Sequence, residues 1–327
     1  MNHPYAPPID PAESTRLNAV QIDDFLAVDF PPRPFLLAPW MRAKSLSMLS
    51  AWRGTGKTML SLGIGYAVSA GGRFLHWHAP EPQGVLHVDG EMAAGDMQSR
   101  LRMIEAASDR KADPAKLRIV TPDLVDGPMP DLSTEAGHAL VNRALRPDTR
   151  LIVIDNLSCL ARTGVENDAE SWTSVASWAL DMRRQGRSVL FIHHAGKQGQ
   201  QRGTSKREDL LDTSIALTRP PGYLPSDGLR ARVEFTKARG LYGDAVATVD
   251  VGLEPGPTGA PAWTWAKVGD EEGEEIERML AEGRSVRDIE RATGINRGKV
   301  FRTKKRMDEQ QAIAKQASDY RRASNGD

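Results

Sequence analysis

From Trp40 onward the chain alternates short apolar runs with stretches whose apolar residues recur at helical spacing. Ser45–Ser50, Gly84–Asp89, Leu151–Asp155 and Val189–His193 have the length of buried strands. Between them, Lys57–Ala70, Ala93–Ala107, Thr134–Arg146 and Ala169–Gln185 read as amphipathic helices. Strand and helix alternating at this spacing predict an α/β fold, with a mostly parallel sheet flanked by helices on both faces. Beyond Arg207 the pattern changes to strands without long helices: Thr213–Arg219, Ala231–Lys237 and Ala245–Gly252. These are expected as antiparallel additions at the sheet edge. There is no internal repeat.

Outside this core the chain changes character. Residues 1–35 hold Pro4, Pro7, Pro8, Pro11, Pro31, Pro32 and Pro34 and read as an extended arm, with one helix around Ala19–Ala27. The core is expected over 36–254, a Pro- and Gly-rich linker over 255–270, a short all-helical module over 271–310 and a polar tail over 311–327. Forty-three basic residues balance forty-three acidic ones, so nucleic-acid contact would have to come from local patches. The one cysteine, Cys159, leaves no internal disulfide and suits a reducing compartment. The amino terminus lacks a basic segment followed by an apolar one, and no apolar run approaches the roughly 20 residues of a membrane span. A cytoplasmic protein with no membrane partner is expected.

The sharpest chemical signal follows the first strand: Ala51-Trp52-Arg53-Gly54-Thr55-Gly56-Lys57-Thr58, with Met59 continuing into the helix. Small residues at Gly54 and Gly56 let backbone N–H groups close on phosphate oxygens, and the helix N-terminus adds its dipole. Lys57 would reach the β- and γ-phosphates of ATP, and the Thr58 hydroxyl would hold Mg²⁺. Ala51 stands where the stricter pattern has glycine.

Two strands end in acids. Asp155 closes an apolar run, the expected place for a carboxylate that supports the Mg²⁺ shell. Because Asn156 follows it, the group that polarises the attacking water must come from elsewhere; Asp89 and Glu91 close the second strand, and Glu91 is the better placed. His194 ends the fourth strand, where it could sense a γ-phosphate. No Cys or further His stands at ligand spacing from His193 and His194, and His76 and His78 are isolated, so no histidine metal site is expected.

Together the segments AWRGTGKT, VDGEM, LIVIDNLS, FIHHAGK, QRGTS and FTKARGLYG, between about Phe35 and Leu253, resemble the RecA-like hexameric helicase superfamily. DnaB-type replicative helicases and the RepA helicases of mobilisable plasmids are the nearest in pattern. The resemblance implies a RecA-like P-loop NTPase fold, with Glu91 as catalytic base and His194 as γ-phosphate sensor. It also implies a trans-acting pair, Lys237 and Arg239, that reaches the next subunit's ATP in a homo-oligomeric, hexameric ring. The collar or primase-binding domain of the DnaB kind has no counterpart here, and similar ATPases of phages and integrated elements carry only a general AAA label.

DNA contacts are expected in two places. The loop Ala195–Arg207 carries Lys197, Arg202 and Lys206, without an aromatic side chain for stacking. The C-terminal module reads as a helix-turn-helix: a helix over Glu274–Glu282, a second over Val286–Thr293 capped by Ser285, a turn at Gly294-Ile295, and a third over Arg297–Met307 capped by Asn296. Ile289, Ala292, Ile295 and Val300 form its apolar seam. Nine basic residues face two acidic ones between Arg284 and Arg306, with Arg297, Lys299 and Arg302 early in the third helix. Two functions fit: a DNA-dependent ATPase and helicase of a mobile element, and an ATP-switched DNA-binding regulator that does not translocate.

Overall fold

The structure, a computed structural model, describes residues 19–162, 169–195, 208–256, 259–269, 271–308 and 311. The chain divides into two compact units, Met1–Arg33 and Pro34–Asp327. The first contributes one short helix, Ile22–Ala27, with no buried residue.

The second unit is built on a nine-stranded sheet. Its strands are β1 (Leu46–Ala51), β2 (Gly84–Asp89), β3 (Leu117–Val120), β4 (Thr149–Asp155), β5 (Ser188–His194), β6 (Thr213–Thr218), β7 (Leu229–Ala238), β8 (Val249–Pro255) and β9 (Pro261–Lys267). They lie in the order β9-β8-β7-β6-β1-β5-β4-β2-β3. From β6 to β3 all pairs are parallel, and β7, β8 and β9 continue as antiparallel hairpins. Every residue of β1 and β2 is buried, which is why these strands read as unbroken runs rather than alternating ones.

Helices cover both faces. On one face α1 (Lys57–Ala70), buried except at Thr58, presses Leu60, Ile64 and Val68 against the sheet and turns Met59, Leu62 and Tyr66 toward α2 (Ala94–Ala107). Gly63 is required by that packing, since a Cβ there would fall 2.2 Å from the Phe74 ring. On the other face α3 (Glu135–Ala144) and α4 (Ala169–Arg184) bury Val141, Val175, Trp178 and Met182 over Ile152, Ile154 and Phe191.

Two expectations are corrected. Thr213–Thr218 is not a purely antiparallel addition: it runs parallel to β1, with Leu217 opposite Ala51, and only its outer side pairs antiparallel. The segment read as a linker contains strand β9, whose Trp263 meets Phe74 edge-on at 5.0 Å. Apolar burial of that indole outweighs the turn-forming composition before it. Edge strand β3, half-buried and carrying Arg118, is absent from the sequence reading because its pattern is too short and too polar.

The carboxyl-terminal helices α5 (Glu271–Ala281), α6 (Val286–Thr293) and α7 (residues 297–308) enclose Ile276, Met279, Ile289, Ile295 and Val300. Ala292 is exposed rather than part of that seam. The Ser285 hydroxyl accepts from the Asp288 N–H, Gly294 ends α6 in the left-handed region, and Asn296 Oδ1 accepts from the Gly298 N–H.

Candidate active site

The site lies beyond the carboxyl ends of the parallel strands, where open α/β sheets place their ligands. β1 ends at Ala51, and the chain turns through Gly54 (φ 75°) and Gly56 (φ 103°) before α1 begins at Lys57. Both angles lie in the region that side chains resist. Gly56 caps α1 without a side chain, so the helix opens with unpaired N–H groups beside the turn. Trp52 and Arg53 point outward, whereas Thr55 and Met59 are buried. The Lys57 ammonium is also buried and donates to the carbonyls of Ala51 and Trp52, each at 3.1 Å. Burial lowers its pKa, and the negative charges of Asp155 and Glu91 oppose that shift.

Asp155, at the end of β4, is 2 % exposed. Its Oδ2 accepts from the Ser61 hydroxyl at 3.2 Å, and the Thr58 hydroxyl also bonds its carboxylate. Burial, then the neighbouring Asp89, pushes its pKa up to about 7. Across the register from Asp155 lies Asp89 of β2, and the Gly90 N–H donates to the Asp155 carbonyl at 2.7 Å.

The two acids that close β2 are used differently. Asp89 is buried, and its Oδ1 accepts from the N–H groups of Glu91 (2.9 Å) and Met92 (2.6 Å), building the turn. Glu91 is exposed and accepts from the Cys159 thiol at 3.4 Å. Cys159 sits on a single helical turn, Leu157–Leu160, capped by the side chain of Asn156. Burial first, then Glu91, pushes its thiol pKa up to about 11, so it stays a donor at neutral pH. Gly90 holds this arrangement closed, because a Cβ there would lie 2.8 Å from that of Cys159.

Other predicted residues separate into groups. His194 lies opposite Ala51 across the β1–β5 register, beside the turn. Lys237 donates to the Glu208 carbonyl, and Arg239 donates to the Asp209 carbonyl. The Arg239 N–H bonds Asp212, and the Asp212 N–H bonds Leu46 at the start of β1, so this pair lies toward the opposite end of the sheet from its own chain's turn. Lys197, Arg202 and Lys206 lie outside the described residues. Arg297 and Arg302 are exposed on α7, while Lys299 is ion-paired with Glu272 at 2.7 Å.

Sequence reasoning misses Arg219. Its guanidinium donates to the Gly54 carbonyl and to that of Arg230 (2.8 Å), and lies 3.9 Å over the Tyr223 ring. The signal is the parallel pairing of β6 with β1, invisible until the strand order is known.

The profile of a family described as an AAA domain matches residues 11–200, more than half of the chain. The chain belongs to that AAA domain family and is a RecA-like P-loop ATPase. No curated protein matches it. Among solved structures, the ATPase is similar to a KaiC-like protein of the hyperthermophilic archaeon Pyrococcus horikoshii OT3 (16 % identity, 71 % of this chain and 99 % of that one, TM-score 0.48). It is similar to the ATPase domain of a DnaB-type helicase (15 % identity, 64 % and 81 % covered, TM-score 0.44). A third likeness is to the flagellar accessory protein FlaH of Methanocaldococcus jannaschii (13 % identity, 68 % and 91 % covered, TM-score 0.45). No helix among the described residues is long and apolar enough to cross a membrane.

Proposed function

We propose that this ATPase hydrolyses Mg·ATP in the cradle formed by Ala51–Met59, Asp155 and Glu91, and couples turnover to work on DNA. One observation carries the reading: of the two acids ending β2, Asp89 is consumed by backbone amides, and Glu91 is left exposed near a buried ammonium and a buried carboxylate. The backbone of Trp52–Gly56 and the start of α1 bind the phosphates, and Lys57 exchanges its two carbonyl partners for phosphate oxygens. Thr58 and Asp155 would hold magnesium; their existing contact, and the raised pKa of Asp155, mark a site that gains from a cation. Bound there, the ion would neutralise phosphate charge. Glu91 takes the proton of the attacking water as its oxygen bonds to the γ-phosphorus and the bond to the β-γ bridging oxygen breaks.

His194 is read as the sensor of the γ-phosphate, and Lys237 and Arg239 as cations offered to a neighbouring subunit of a hexameric ring. Their position away from their own cradle supports a trans role over a cis one. DNA would meet Arg297, Lys299 and Arg302 of α7, read as the third helix of a helix-turn-helix, and the loop bearing Lys197, Arg202 and Lys206. The favoured activity is that of a helicase of a plasmid, phage or integrated element. A second reading, a non-translocating ATP-switched regulator, is favoured by the capped three-helix module with its exposed arginines. ATP hydrolysis measured with single-stranded, duplex and no DNA, alongside strand displacement, tests both. Stimulation of several fold with directional unwinding is expected for the helicase, and a localised footprint without unwinding for the regulator. Hydrolysis unaffected by either DNA would reject the coupling.

A further inference from the structure

Beneath the cradle the sheet brings together three ligand-type side chains that no sequence spacing joins. Alternation along β2 sends His87 and Asp89 to one face, and the neighbouring β4 presents Asp155 beside them. One donor atom from each of the three lies within 4.8 Å of the others, and all three side chains are buried. His87 is wholly inaccessible, with its Nε2 4.0 Å from Asp155 Oδ2.

The polar groups here are not satisfied by the protein. Neither nitrogen of His87 has a hydrogen-bond partner, and neither has Asp89 Oδ2. Leaving such groups buried and unmatched costs about 1–3 kcal/mol each. Two neighbouring carboxylates add mutual repulsion. Lys57 does not relieve it, since its ammonium donates to the carbonyls of Ala51 and Trp52. Nor does His87, which burial holds neutral by pushing its pKa down to about 3. A neutral imidazole offers a lone pair, and two carboxylates offer negative charge. That donor set describes a metal site.

We propose that His87, Asp89 and Asp155 bind a divalent transition cation of the Mn²⁺, Fe²⁺, Co²⁺ or Zn²⁺ class, in the absence of nucleotide. The imidazole selects this class over Mg²⁺ and Ca²⁺, which prefer all-oxygen shells. Each ligand keeps an atom for the purpose: Asp89 Oδ1 is occupied by the Glu91 and Met92 amides while Oδ2 is open, and both His87 nitrogens are open. The cation would balance the charge of the two carboxylates and tie β2 to β4 at the ends that carry Glu91 and Asp155. The site shares Asp155 with the ATP reading but needs neither nucleotide nor turnover.

The test is Mn²⁺ binding to the full-length, nucleotide-free chain, followed by electron paramagnetic resonance. One Mn²⁺ per chain is expected, retained against a tenfold excess of Mg²⁺, with a ¹⁴N coupling from the coordinated imidazole. Mn²⁺ bound only through Thr58 and Asp155 would show no such coupling. His87→Leu should remove the nitrogen signal and weaken binding at least tenfold, and His87→Gln, which keeps a polar side chain, should also lose it. The wild-type nitrogen coupling decides the matter even if both variants fold poorly. Absent Mn²⁺ binding, or binding without nitrogen coupling, would overturn the site. Lys57→Ala keeps the arms separate: it should abolish ATP binding and leave the Mn²⁺ signal unchanged. Failure of wild type to bind ATP would sink the proposed function without touching this one.

Discussion

At the carboxyl ends of β1, β2 and β4 the charged groups are withdrawn from water and held by the backbone. Along α5–α7 they stand in solvent and pair across helices. Lys57 and Asp155 are buried and Asp89 builds a turn with two amides, whereas Arg278, Lys299 and Arg306 meet Glu282, Glu272 and Glu277 at the surface. The first region concentrates unbalanced charge in a low-dielectric pocket, where each interaction is strong and a bound triphosphate or cation gains much. Surface pairs of the second kind contribute roughly 0–1 kcal/mol and yield readily to a competing polyanion. One region is built for chemistry, the other for exchangeable contact.

Substitutions should therefore cost far more in the first region than in the second. Lys57→Ala is expected to lower ATP turnover at least ~100-fold, with loss of nucleotide affinity seen by fluorescent ATP-analogue titration. Next comes the thiol. Cys159→Ala should reduce kcat about 3–10-fold with KM little changed, and Cys159→Ser, which keeps a donor, should recover most of it. An equal loss in the serine variant would show that the contact with Glu91 does not orient the carboxylate.

In the helical module the effects should be smaller and salt-dependent. Arg297→Ala and Arg302→Ala should each weaken duplex DNA binding several fold and reduce the salt slope by about one. Lys299→Ala should do less, because its ammonium is already shared with Glu272. Equal effects at all three positions, read by fluorescence anisotropy across a salt series, would remove the distinction between exposed arginines and a paired lysine.

The same contrast explains what is legible in the sequence. Strand β2 and helix α1 have the bounds the sequence suggests, because a fully buried strand and a helix opened by a glycine turn leave strong local marks. Ser285, Gly294 and Asn296 likewise declare the module's helix ends through capping chemistry. Residues that depend on strand order are hidden. Arg219 reaches Gly54 only because β6 lies beside β1, and His87 meets Asp155 only because β2 lies beside β4. Trp263 reads as linker because nearby prolines and glycines dominate the local composition, although its partner Phe74 lies far away in sequence. Cys159 carries no motif of its own; its contact with Glu91 arises where two turns from different strands meet.

The central claim is that Lys57, Asp155 and Glu91 serve one hydrolytic site, with Glu91 acting on water rather than on binding. The direct measurement compares Glu91→Gln with wild type for nucleotide affinity and for phosphate release in the same preparation. Affinity within about threefold of wild type, with turnover reduced by ~100-fold or more, is the predicted result. Turnover close to wild type in that variant would contradict the account.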